Sequence, residues 1–237
     1  MKPPAARGAL LWRLLLFLAA QPLAGQSLTG RPAERASVGV DFTVESNRVF
    51  PALVDFSSFG SLSVHKAARF DTGVSLGGNG VFFVVKTFAK AALSLKDTPL
   101  SATVHYIYNG LPAYKTHIQT LTPMLSLNGR WAGTSVGPAW HFTVFDREAA
   151  IVEPVFAFSA YVNVYNTDRG RIGLRCANIT DFSSGTMGAY ALTAYSALGI
   201  SKRCFMINTI TLYQSGSVGL AANYYGFSYR GGLVFTW

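Results

Sequence analysis

The sequence predicts an all-β fold: a closed, antiparallel, up-and-down transmembrane β-barrel made by a single domain. Three observations lead to this prediction. Apolar and polar residues alternate along many short segments, which is typical of strands with one apolar face and one polar face. Only 13% of the residues are charged and 50% are hydrophobic, whereas ordinary soluble domains carry about 25% charged residues. The chain also ends on an alternating strand that finishes in an aromatic residue, Trp237.

The composition favours a membrane barrel over other ways of burying apolar surface. After residue 25, no stretch reaches the roughly 18 unbroken apolar residues that a membrane helix needs. A closed barrel can span a membrane without such a helix, because every backbone hydrogen bond forms between strands. A soluble exported barrel or sandwich is the alternative. The polar faces of the segments are rich in Gly, Ser and Thr but poor in Lys and Glu, which suits a solvated surface badly.

The N-terminus predicts export. Lys2, Arg7 and Arg13 flank the start of an apolar run over residues 14–20, and small residues follow Pro22. This pattern predicts a secretory signal peptide over residues 1–25, cleaved near Gly25. Residues 26–36 then form a short flexible lead, and residues 37–237 form a single barrel domain. The signal holds three of the 20 basic residues and none of the 11 acidic ones, so the mature chain has a net charge of +6.

The strands are predicted from alternation and from the turn residues between them. The first covers residues 37–45, whereas residues 46–67 alternate poorly and predict a long outer loop. Asn128-Gly129 is a strong hairpin signal. The other segments are 68–76, 81–95, 100–108, 115–127, 131–145, 149–165, 171–176, 186–197, 204–213, 217–225 and 228–237. Some segments could be halves of one strand, so we expect eight to twelve strands, an even number, and favour eight or ten.

Alternation also predicts which charged side chains face the lumen. Charges on the lipid face of such a barrel cost about 2–4 kcal/mol at the membrane midplane, so they belong inside. Because the first and last strands of a closed barrel pair, we expect Glu45 to approach Arg230 within a residue or two of register. The complete set of predicted lumen-lining residues is Asp41, Glu45, His105, His117, His141, Glu153 and Arg230.

The same polar residues raise the question of catalysis. The three lumen histidines, Ser101 or Ser135, and Glu153 contain the residue types of a Ser–His–acid site. Alternation does not fix the register that such a site needs, and hydrogen-bonded polar residues in a lumen are the simpler interpretation. No His-x-His spacing suggests a metal. We therefore expect no enzyme activity, no metal and no cofactor, and the absence of a basic block argues against nucleic-acid binding.

Two cysteines, Cys176 and Cys204, are present. In an exported chain they can form one disulfide or stay as two free thiols, and the sequence leaves both possibilities open.

The C-terminus resembles the assembly signal of bacterial outer-membrane β-barrel proteins, with Arg230, Gly232, Phe235 and Trp237 in the matching positions. With the signal peptide and the alternating strands, the chain resembles small outer-membrane barrels of the OmpW/OmpX type or a spirochaete version of them. The resemblance implies export through the periplasm to the outer membrane of a diderm bacterium. It also implies insertion into outer-membrane lipid by the barrel-assembly machinery.

The resemblance implies a narrow pore for passive uptake of small solutes, a surface adhesin or immune-evasion barrel, or, third, a lipid-modifying enzyme. Inward-facing glycines such as Gly39 and Gly133 would create lumen space, which favours the pore. An adhesin needs long outer loops, and residues 46–67 supply one. The positive charge and the few inward acids predict a mild preference for anions and neutral solutes. The histidines would strengthen that preference near pH 5.

Overall fold

In the part of the chain that the structure describes, twelve antiparallel strands form one closed barrel. The computed structural model describes residues 36–47, 52–65, 67–79, 83–95, 98–145, 151–182, 189–215 and 223–237, so the predicted signal peptide and all of the predicted lead except Ala36 lie outside it. Each strand pairs with its neighbours in sequence, and β1 closes the barrel on β12. The strands are β1 (Ala36–Asn47), β2 (Leu53–His65), β3 (Ala68–Gly78), β4 (Phe83–Ser94), β5 (Leu100–Leu111), β6 (Thr116–Asn128), β7 (Ala132–Phe145), β8 (Ile151–Thr167), β9 (Gly170–Ala177), β10 (Ala189–Gly199), β11 (Cys204–Ser215) and β12 (Asn223–Thr236).

The predicted fold class is confirmed, but the favoured number of strands, eight or ten, was wrong, because the described residues form twelve. Most of the predicted loop at 46–67 is β2, whose serines lie on both faces and obscure the alternation: Ser57 is buried on the inner face and Ser58 lies on the outer face. At the other end of the chain, residues 223–225, predicted to end a separate strand, belong to β12 together with residues 228–236. The rest of that predicted strand, residues 217–222, lies outside the described residues.

Apolar side chains cover the outer face of the barrel. Phe56, Leu125 and Leu174 expose 67%, 70% and 60% of their surface. The inner face instead buries polar residues, Asp41 and Asp71 among them. Lipid, not water, is the solvent that suits such an outer surface, so the barrel has the surface of a membrane protein. In the part of the chain that the structure describes, no helix is long and apolar enough to cross a membrane.

The barrel has two distinct ends. We call the end that holds Ala36 and Trp237 the turn end; the described connections 129–131, 168–169 and 200–203 also lie there. We call the opposite end the loop end; the other ends of the strands point toward it. At the turn end, Ala36 and Trp237 exchange two backbone hydrogen bonds of 3.2 and 3.1 Å, which complete the pairing of the first and last strands.

Candidate pore in the barrel interior

Six of the seven predicted lumen residues lie on the inner-facing positions of their strands. His105 and His141 are buried there, and Glu153 lies directly opposite His141 in the β7–β8 register. Residues that face each other across an antiparallel pair point to the same side of the sheet. The six inner-facing residues are Asp41, Glu45, His105, His141, Glu153 and Arg230.

His117 is the exception and lies on the outer face. It is opposite Gly110 in the register and stacks on Tyr108, whose hydroxyl is 3.3 Å from His117 Nδ1. Near the loop end of β6 the usual polarity is reversed, because Ile118 faces inward while His117 and Gln119 face outward. Polar residues and tyrosines near a strand end fit the interfacial zone of a membrane, where water is available. Alternation alone could not reveal this local reversal.

An ion pair inside the barrel links the first and last strands. Arg230 Nε donates to Asp41 Oδ2 over 2.7 Å, and its guanidinium lies 5.1 Å from the ring centre of Phe59. In the register, Arg230 is opposite Thr43 and Glu45 is opposite Ser228. Glu45 is therefore within two residues of Arg230, as expected, but the observed ion pair joins Arg230 to Asp41.

A second inner ion pair lies closer to the loop end. Lys86 Nζ donates to Asp55 Oδ2 over 2.7 Å, which connects β4 to β2 across β3. The intervening strand places Gly77 opposite Asp55, and a Cβ on Gly77 would overlap the Asp55 carboxylate. A glycine is needed there because the carboxylate occupies the space of any side chain.

Residues 178–182 leave the barrel wall and enter the lumen; we call them the inner segment. The strand before them, β9, ends at Ala177, where it is still opposite Ser159 in the middle of β8. Asn178 then takes over the pairing with its side chain: its amide oxygen accepts from Phe158 N over 2.7 Å, and its amide nitrogen donates to Phe156 O over 2.6 Å. Because these bonds satisfy the edge of β8, the main chain is free to turn inward.

Contacts from several strands hold the inner segment in the middle of the lumen. Ile179 is 3% exposed and packs in the apolar cluster that contains Phe88. The rings of Phe182 and Phe88 meet edge to face at 4.9 Å. His105 Nε2 lies 3.2 Å from the Asp181 carbonyl oxygen, and Arg175 donates to the Ile179 carbonyl oxygen over 3.2 Å. The segment therefore narrows the lumen at mid-height, and nothing in the strand alternation predicted it.

A row of charged and polar side chains borders the inner segment. Asp71, Lys90 and His105 occupy facing positions on β3, β4 and β5. Arg69 Nε donates to Asp71 Oδ1 over 2.7 Å, and Lys90 interacts electrostatically with both Asp71 and Asp181. Charges buried this deeply need partners of opposite sign, and here each carboxylate has a cation beside it.

A polar cavity of about 670 Å³ extends from the inner segment to the turn end. Its wall contains tyrosine, asparagine, serine and threonine side chains, and its charges are mainly positive. Among the described residues that line it are five cationic side chains and two carboxylates. The cations are Arg69, Lys90, Arg130, Arg171 and Arg175, and the carboxylates are Asp71 and Asp181. We call this space the cationic cavity.

Hydrogen bonds fix the rim of the cationic cavity at the turn end. The Tyr161 hydroxyl donates to the Gly129 carbonyl oxygen over 2.9 Å. Asn163 and Asn166 both donate to the Arg130 carbonyl oxygen, over 2.7 and 2.6 Å. The turn at 129–131 is thus tied to the neighbouring strand β8, which gives the mouth of the cavity a defined shape.

The remaining predicted residues have separate places. Ser101 Oγ accepts from Asn128 Nδ2 over 2.8 Å. Cys176 and Cys204 are free thiols, and no disulfide joins them. They sit on β9 and β11 with β10 between them, Cys176 near the inner segment and Cys204 at the turn end. Among the described residues, no group of three or more His, Cys, Asp or Glu side chains could hold a metal.

The C-terminal residues of the predicted assembly signal lie on β12 and just beyond it. Gly232 is opposite Asp41, with the Val40 carbonyl oxygen within 2.4 Å of where its Cβ would be. Phe235 and Trp237 point outward and expose 45% and 57% of their surface. Two aromatic residues therefore face the membrane side of the turn end.

Comparison with known proteins identifies the fold. No protein-family model matches the chain, and no curated protein matches its sequence. Among solved structures, it is similar to the KdgM porin in complex with disordered oligogalacturonate, with 8% identity and a TM-score of 0.54 over 84% of this chain and 99% of that chain. It is also similar to the translocator domain of the autotransporter NalP from Neisseria meningitidis, with 11% identity and a TM-score of 0.55 over 98% of this chain and 96% of that chain. The chain has the fold of outer-membrane β-barrel proteins.

Proposed function

We propose that the protein is a narrow outer-membrane pore for passive uptake of small solutes and that it prefers anions. The observation that carries this proposal is the cationic cavity, whose described lining residues include five cationic side chains and two carboxylates. Charges that line a pore at close range set which ions enter it. The inner segment narrows the lumen above the cavity, which restricts passage to small solutes.

The adhesin alternative has less support from the fold. Its basis was a long outer loop at residues 46–67, and residues 53–65 of that range form β2 in the barrel wall. The start of the connection after β9 points into the lumen, where Ile179 is buried. Both segments therefore lie in the wall or the lumen and not in an outer loop, where a host ligand would have to bind.

Two further expectations now rest on narrower support. The KdgM porin shares the fold and its structure is a complex with disordered oligogalacturonate; the proposed preference for anions rests on the side chains of this protein. The predicted gain in anion preference at acid pH has little support, because His117 lies outside the lumen and the rings of His105 and His141 are buried, 4% and 5% exposed, away from the water that would stabilise an added charge. Membership of the OmpW/OmpX type stays a prediction, as does the absence of enzyme activity.

Planar-bilayer recording under a salt gradient tests the proposed selectivity through the reversal potential. We expect weak conductance with anion preference from purified barrel whose folding is verified by heat-modifiable migration. Replacing Arg130 and Arg171 together by Gln should move the reversal potential toward zero, because both side chains line the cavity. The matched control replaces Lys202 and Arg203 by Gln on an exposed turn and should leave the potential unchanged.

Three results would contradict this proposal. A cation preference in the wild-type barrel would mean that the cavity does not control the passing ions. An unchanged reversal potential in the Arg130→Gln/Arg171→Gln variant would mean the same. No conductance from verified folded protein would favour the adhesin.

We also propose that the barrel-assembly machinery inserts the chain into the outer membrane by recognising its C-terminal strand. Deleting residues 235–237 should leave export intact and block insertion, because it removes both outward aromatic residues and the last pairings of β12 with β1. The measurement is heat-modifiable migration of the protein in the membrane fraction. A truncated protein that still migrates as the folded form would reject this role.

A further inference from the structure

Two prolines face each other in the middle of the barrel wall. Between β6 and β7 the register runs through Leu121 opposite Trp140 and resumes at Leu125 opposite Val136. The same register places Pro123 opposite Pro138, and none of the three positions between is paired. Proline has no N–H to donate, so a proline pair cannot make the ladder bonds that neighbouring positions make.

The wall is deformed around this proline pair. The Pro123 carbonyl oxygen comes within 1.9 Å of the place where a Cβ on Gly137 would be, so the two strands approach each other there in a way that only glycine allows. A third proline, Pro154, follows on β8 directly opposite Trp140. Irregular backbone at this depth in a membrane wall is uncommon, because lipid cannot supply the missing hydrogen bonds.

A depression of about 810 Å³ opens on the outer face over these prolines. This volume is within the range of roughly 300–1,000 Å³ found for small-molecule sites. Five adjacent strands, β4 to β8, contribute to it. Its floor is made of small residues, including Ala91, Ala102 and Gly137, and its sides include Val104, Leu125 and Phe156. Apart from Thr103, every described side chain that lines the depression is apolar.

The depression reaches almost to the lumen. Thr103 and Met124 line both the depression and the cationic cavity. These two inner-facing side chains therefore form the partition between the membrane side and the interior at this point. Methionine is unbranched and flexible, so Met124 can adjust its shape to an occupant.

We propose that this depression is a binding site for one acyl chain of a membrane lipid. The depression is continuous with the apolar outer face, so the hydrocarbon of the bilayer is what reaches it. Among the described residues, none with a charged side chain lines the depression, so it offers no partner to a headgroup and selects for the acyl chain alone. Its depth comes from the proline pair and the small residues, and gives a chain contacts that a regular strand wall would not provide. This site does not depend on the proposed pore function.

Photolabelling tests the site with a defined probe, a 16-carbon fatty acid that carries a diazirine on its chain. The probe is added to folded full-length barrel in detergent micelles, and labelled peptides are identified by mass spectrometry. We expect label concentrated on β5, β6 and β7, with unlabelled fatty acid competing for it. Equal labelling around the whole outer face would overturn the proposal, because it would show general contact with the hydrocarbon phase.

A filling variant sharpens the test. Ala102→Phe places a ring in the depression and should reduce labelling of β5 to β7 to the level of the remaining strands. The matched control is Ala160→Phe, an outer-face alanine on β8 outside the depression, which should label as wild type does. Both variants are accepted only when heat-modifiable migration shows the folded form. Undiminished labelling in folded Ala102→Phe would overturn the proposal.

Discussion

Charged side chains are arranged differently in the two halves of the barrel interior, the one toward the loop end and the one toward the turn end. Toward the loop end and the closure seam, two ion pairs match charges within the wall: Asp41 with Arg230 and Asp55 with Lys86. The inner-facing carboxylates Glu45 and Glu153 lie toward the loop end as well, so cations are not in excess among the described residues there. Toward the turn end, cations outnumber carboxylates around the cationic cavity. Both halves are built from the same inner-facing positions of the same strands. Matched pairs stabilise a wall, whereas an excess of one sign creates a field that acts on solutes. The difference separates side chains that hold the barrel together from those that act on what passes through it.

The seam pair offers the largest expected effect on stability. Asp41→Leu would leave the Arg230 guanidinium without its carboxylate, and breaking a buried pair from one side costs about 3 kcal/mol or more when burial is complete. Arg230 keeps 15% of its side chain exposed, so we expect a loss toward the lower end of that range. The measurement is the denaturant midpoint of the folded band in detergent micelles.

A double variant separates pairing from size at the seam. Asp41→Leu combined with Arg230→Met removes both charges and should recover a large part of the lost stability. If the double variant is as unstable as Asp41→Leu alone, the unpaired guanidinium is not the cause. If Asp41→Leu shifts selectivity as strongly as the Arg130→Gln/Arg171→Gln variant, the division of the interior into two functional halves is wrong.

The inner segment lies between the two halves, and its release should change conductance. Replacing Ile179 and Phe182 by Ser removes the apolar contacts that dock it, a loss of about 2 kcal/mol or more for the buried residue alone. We expect higher single-channel conductance with anion preference retained, because the cations remain in the wall. Ile200→Ser, on an exposed turn, is the control. Unchanged conductance in the folded double variant would show that the segment does not set the narrowest point.

Strand alternation predicted which face of most strands points into the lumen. It did not predict every strand, the local reversal of polarity on β6 or the inner segment. It placed Asp41 and Arg230 inside, because charge and period agree there. It missed β2, where serines on both faces hide the period, and it misplaced His117, where polarity is reversed near the loop end. The inner segment was beyond its reach, because Ile179 and Phe182 have no strand period and are placed by contacts with distant residues such as Phe88.

Partner choice was also beyond the sequence. The first and last strands were expected to approach each other with Arg230 near Glu45, and the register agrees within two residues. Asp41 and Glu45 are both diagonal neighbours of Arg230, so side-chain length does not decide between them. The partner is Asp41 because the Arg230 guanidinium also stacks on Phe59, which is opposite Gly39 on the Asp41 side. A pattern along one strand specifies the side of the wall, whereas the ion pair depends on contacts that other strands make across the seam.

The smallest expected effect lies at the border between the two halves. Thr122 faces inward opposite His105, is 0% exposed, and its hydroxyl has no hydrogen-bond partner among the described atoms. Burying a hydroxyl without a partner costs about 1–3 kcal/mol. Thr122→Val keeps the shape and removes that cost, so the denaturant midpoint should rise by an amount equivalent to about 1 kcal/mol.

Thr120, two residues away on the same face and 1% exposed, does have an interaction partner. Thr120→Val is therefore the matched control and should lower the midpoint. Equal shifts in both variants would mean that Thr122 is already satisfied in the folded barrel, by water reaching it from the cationic cavity.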